Sequence, residues 1–127
     1  MDPVSSTKYY GENCKIIFVR RDPKAIFWSM KRRNSLSYPG NDIKKFVKWY
    51  KELSNKISEV NFDNVIQLKF EDFFQNFDDE KNKLSIKLDI DPDCNDNFDI
   101  NYTMKNLFKF QKNLSPSEIK YIDDNLS

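Results

Sequence analysis

Histidine is absent from all 127 residues, so the chain has no imidazole of its own for a Ser-His-Asp triad, a Cys-His pair or an HExxH zinc site. Glycine occurs only at Gly11 and Gly40. That excludes a Gly-rich dinucleotide loop and a Walker A loop, which need several close glycines to bring backbone amides onto phosphates. Any phosphate bound here has to be held by side chains and a helix start. The two cysteines, Cys14 and Cys94, match no metal spacing. Sequence alone leaves a disulfide open, and two buried thiols in a reducing compartment is the simpler expectation.

No apolar run approaches the roughly 20 residues that cross a bilayer, and the start MDPVSSTKYYGENC lacks the basic and apolar regions of a signal peptide. A cytoplasmic location is expected. Charge of one sign is also missing: Lys+Arg 21 against Asp+Glu 20 leaves a net +1, which argues against nucleic acid as a partner. What is present is a hydrophobic share of 39% with 15% aromatics, enough for one globular domain or a piece of a larger one.

Residues 1–14 are polar and aperiodic and read as a poorly ordered lead-in; residues 15–127 read as the folded portion. Lys15 to Arg20 is β-branched and apolar without alternation, which suits a strand buried on both faces of a parallel sheet. Asp22-Pro23 is a helix start, with Asp22 as cap and Pro23 where a missing N–H costs nothing, and the helix runs to about Arg33. Residues 34–41 contain Pro39-Gly40 and read as a loop. Ile43, Phe46, Val47, Tyr50, Leu53 and Ile57 recur at helical spacing from Asp42 onward. Asn64 to Phe70 is a second strand, Glu71 to Leu88 a helix, and Asp89 to Asn101 an irregular loop. Ser115-Pro116-Ser117-Glu118 is a capping box that opens a last helix through Ile119, Ile122 and Leu126. This alternation belongs to the α/β class. Two strands are few for a sheet whose usual size is about five or six, so further strands are expected from a neighbouring chain or from a larger domain of which this is the distal part.

The first strand delivers Arg20 and Arg21 to its C-terminal end, where ligands bind open α/β sheets, beside the positive end of the following helix. A guanidinium and a helix start together make a phosphate site. Ser29 lies eight residues beyond Arg21, about two turns into that helix. On spacing alone, pairing of Arg21 with Asp22 or a nearby carboxylate and an ordinary surface role for Ser29 is the simpler reading. Glu71-Asp72 reads as a capping or orienting pair rather than an acid/base pair, and Phe18, Phe27, Trp28, Trp49 and Tyr50 read as core.

The segments VRRDPKAIFWS and VIQLKFEDF resemble the sulfotransferase family, which transfers a sulfuryl group from 3'-phosphoadenosine 5'-phosphosulfate to a hydroxyl or amine. In that family a strand enters an Arg-Asp-Pro turn, and a serine eight residues after the arginine joins it on the 3'-phosphate. The resemblance implies these roles for Arg21 and Ser29. It implies a place near adenine for Phe70, where the family often has tyrosine. It also implies a P-loop-like parallel sheet with flanking helices, with this chain as the C-terminal portion.

The family's lysine-containing 5'-phosphosulfate loop, its usual His or Glu base and its basic-Gly tripeptide have no counterpart in the sequence. No catalytic residue and no metal ligand is therefore carried over, and the chain alone is expected to be inactive. The implied partners are the nucleotide donor and a carbohydrate or small hydroxyl acceptor. Two other readings stay open: a nucleotide-binding fragment serving a different phosphate, and a degenerate domain kept as a binding or assembly module.

Overall fold

The computed structural model describes residues 5, 9–10, 13–33, 41–60, 63–93 and 98–126. Most of the lead-in over 1–14 and of the loop over 34–41 lies outside the described residues, as does Cys94. Strand β1 (Ile16–Arg20) is followed by helices α1 (Pro23–Arg32) and α2 (Ile43–Ser58). Strand β2 (Val65–Lys69) then leads into α3 (Phe70–Gln75), α4 (Phe77–Leu88), α5 (Ile100–Asn106), α6 (Phe110–Asn113) and α7 (Pro116–Leu126). The fold is α/β, mostly helical, with a two-stranded parallel sheet. The larger P-loop-like sheet is not found among the described residues.

Local chemistry fixes the helix starts. The Asp22 carboxylate accepts the Lys24 amide at 2.8 Å with Pro23 at the first helical position. Asp42 does the same for Lys44 and Lys45 at 2.9 and 3.2 Å. The capping box of α7 closes in both directions: Ser115 Oγ accepts the Glu118 amide at 3.2 Å, and Glu118 Oε2 accepts the Ser115 amide at 2.9 Å.

The stretch expected as one helix over 71–88 is two, broken at Asn76, whose side-chain amide donates to the Asp72 carbonyl. Such local side-chain bonding competes with helix propagation. Helix α4 ends on Asp89 with φ 55°, a left-handed position that aspartate tolerates better than most non-glycine residues. The expected loop over 89–101 is shorter than its reading, because α5 begins at Ile100, with Asp99 capping the Tyr102 amide at 3.1 Å.

Helices α1, α2, α6 and α7 enclose the core of Ala25, Phe27, Phe46, Val47, Phe110, Leu114 and Ile122. Trp28, Trp49 and Tyr50 pack against it, whereas Phe18 is half-buried outside it.

The sheet is built differently. Ile17 and Val19 stand beside Ile66 and Leu68 in register, so all four share one face. Ile17 is 38% and Val19 58% exposed. The expectation of a strand buried on both faces is therefore wrong: among the described residues no further strand flanks the pair and no helix layer encloses β1. Cys14 is exposed, which also corrects the expected buried thiol.

Candidate functional site

At the C-terminal ends of the two parallel strands lies a cavity of about 650 Å³, bounded by the start of α1 and by α7. This is the position at which open α/β sheets take ligands. Its cationic wall is Arg20, Arg21, Lys24 and Lys69; its carboxylates are Asp22, Glu71, Asp72 and Asp123.

Arg21 is set by the end of β1 and held by two contacts. Its carbonyl accepts the Tyr50 hydroxyl at 3.2 Å, tying the turn to α2. Burial first, then the charges of Asp22 and Glu71, push the Tyr50 phenol above its ordinary value of 10.0 against the opposing pull of Arg20, so it remains a donor. The Arg21 guanidinium lies over the Phe70 ring, 4.9 Å from the centroid, a cation–π contact that holds it there. No carboxylate among the described residues pairs with Arg21, and its buried Nε has no hydrogen-bond partner.

Glu71 is 5% exposed. Its Oε1 accepts the backbone amide of Asp22 at 2.9 Å, across 49 residues of sequence, and its Oε2 has no partner. The orienting role read for the Glu-Asp pair thus falls on a different target. Glu71 clamps the Arg-Asp-Pro turn, while α3, which it was expected to cap, carries no side-chain cap. Asp72 is exposed and meets Lys69 at 3.5 Å.

The start of α1 is less available to an anion than its sequence implies. The Asp22 amide is given to Glu71, the Lys24 amide to Asp22, and Pro23 has none. Lys24 is engaged as well, with Asp22 at 3.7 Å and with Asp123 of α7. Burial pulls its ammonium down, and the Asp123 hydrogen bond with the charges of Asp22 and Asp123 outweighs that, leaving Lys24 above its ordinary 10.5. An anion entering this cavity therefore meets chiefly the arginine side chains.

Of the residues singled out from sequence, Arg21 lines the cavity. Phe70 sits behind it with one ring face covered by the guanidinium and its edge against Phe74, at 4.7 Å between centroids. Ser29, half-buried two turns along α1, is not part of the cavity wall. Glu71 and Tyr50 were not read as site residues, and nothing in their local sequence signals contacts made across the fold.

Among the described residues no group of His, Cys, Asp and Glu is arranged to hold a metal, and no helix is long and apolar enough to cross a membrane. No protein-family profile, curated protein or solved structure matches the chain.

Proposed function

We propose that the cavity at the strand ends holds the 3'-phosphate end of 3'-phosphoadenosine 5'-phosphosulfate, as part of a cytoplasmic sulfotransferase-like unit acting on a carbohydrate or small hydroxyl acceptor. The observation that carries this reading is Arg21: buried at Nε, unpaired with any described carboxylate, and held over the Phe70 ring at the rim of a ligand-sized space. An oxyanion supplies the acceptors that this guanidinium lacks, and a bidentate phosphate contact suits its planar fork.

The bound donor supplies the transferable sulfuryl group. The chain's own residues do the anchoring: Arg21 takes the phosphate, Tyr50 and Glu71 fix the turn that carries Arg21, and Phe70 orients it. Ser29 contributes the smaller share, since it lies outside the cavity wall. The missing strands of the P-loop-like sheet, and with them the 5'-phosphosulfate loop and the acceptor base, come from a neighbouring chain or a longer domain.

Calorimetric titration with adenosine 3',5'-bisphosphate, against 5'-AMP and ATP, tests this. Binding that requires the 3'-phosphate and is lost in Arg21→Ala supports the reading. A folded chain that binds none of the three, or prefers ATP, overturns it.

A second reading, that of an assembly module without turnover, is favoured by the exposed Ile17 and Val19 on a sheet that no further strand flanks among the described residues. Concentration-dependent self-association, without nucleotide binding, is the result that selects it.

A further inference from the structure

Glu71 presents a requirement that a phosphate cannot meet. Glu71 belongs to the cavity lining, one of its oxygens is committed to the Asp22 amide, and the other is buried without a donor. A buried acceptor left unpaired is unfavourable, and more so when charged. A phosphate dianion offers only acceptors and repels it. The ligand that satisfies both orphaned atoms thus carries an anion for Arg21 and, close beside it, a hydrogen-bond donor for Glu71. The two side chains are neighbours through the backbone, because Glu71 grips the amide of the residue that directly follows Arg21.

Resting on the nucleotide reading above, we propose that Glu71 Oε2 accepts a hydrogen bond from the ribose 2'-hydroxyl, making this half-site selective for ribonucleotides over deoxyribonucleotides. In a 3'-phosphorylated ribose the 2'-hydroxyl sits on the ring carbon next to the phosphate, so one ligand brings an anion and a donor together to two residues of the same cavity lining. A carboxylate at the end of the second strand of a parallel pair reads a ribose hydroxyl in other α/β nucleotide sites, by the same hydrogen-bond logic. Lys69 and Asp72, which flank Glu71, are exposed and paired with each other, so neither substitutes for it.

The test is calorimetry of the native chain with adenosine 3',5'-bisphosphate and its 2'-deoxy and 2'-fluoro-2'-deoxy analogues. A hydrogen bond to a charged acceptor is worth about tenfold to a hundredfold in affinity, and both analogues are expected to weaken by that factor. The fluoro compound keeps the bulk and loses the donor, so it behaves like the deoxy compound rather than the parent. In Glu71→Gln, whose amide oxygen still accepts the Asp22 amide, the gap between parent and deoxy ligand shrinks to a few-fold. Should that variant fail to fold, the three-ligand series on the native chain decides alone. Equal binding of all three ligands overturns the role of Glu71 while leaving the nucleotide reading intact, and means that water serves Oε2. Binding of none overturns both.

Discussion

Ile122 and Val19 are both aliphatic, yet Ile122 is fully enclosed between helices while Val19 stands 58% exposed on the sheet. The contrast holds for the regions around them. The helical layer of α1, α2, α6 and α7 owns a closed core, with Phe46 in ring contact with Phe27, Trp49 and Tyr50. Among the described residues the sheet has one ladder, and its apolar face leaves Ile17 and Val19 exposed. Folding stability is therefore carried by helix packing, and the sheet's contribution is to bring Arg21 and Glu71 to one end. A site assembled at the seam of a firm layer and a bare one depends on the firm layer for its geometry, through Tyr50 and Lys24.

Phe46→Ala strikes the firm side hardest. Its side chain is 0% exposed, and truncation of a core phenylalanine costs about 3 to 5 kcal/mol, so chemical denaturation should show most of the fold lost. An intact unfolding midpoint would place the core elsewhere. Ser115→Ala removes one half of the capping box and is expected to cost about 1 kcal/mol, read as a lower midpoint with an unchanged slope.

A smaller effect follows from Glu118, which joins α7 to α1 through Lys31. Burial raises its carboxyl, and the Lys31 hydrogen bond with the Ser115 bonds outweighs that, so it lies below the ordinary 4.5. With the folded value below the unfolded one, its contribution is complete above about pH 4.5 and fades as pH falls through the lower folded value. The pair is worth about 0.5 kcal/mol. Glu118→Gln should flatten that part of the acid limb, and an unchanged limb would count against the tie.

Least of all, Val19→Thr is expected to alter stability by no more than about 0.5 kcal/mol, since an exposed site loses little on gaining a hydroxyl. A large loss would mean that the face is covered. If sedimentation shows the native chain associating and Val19→Thr dissociating, the covering partner is a second copy.

The features legible in the sequence are those whose chemistry is local. The Asp22-Pro23 start, the Ser115 capping box and the amphipathic α2 each rest on contacts within a turn or two, and all three form as read. Helices α5 and α6 escaped notice because each is too short to show a period. The exposure of β1 could not be read from β-branched residues, which look alike whether a sheet face is covered or bare. At the site, Arg21 and its turn were visible, whereas the Glu71 clamp and the Tyr50 tie join residues 49 and 29 positions apart and leave no local trace.

The most direct test of the account is a map of backbone amide shifts in the native chain as adenosine 3',5'-bisphosphate is added. Saturable shifts centred on Arg20 to Lys24 and Lys69 to Glu71 are expected, with the end of α4 around Ile86 unmoved. Shifts confined to another face of the molecule, or none at millimolar nucleotide, would contradict it.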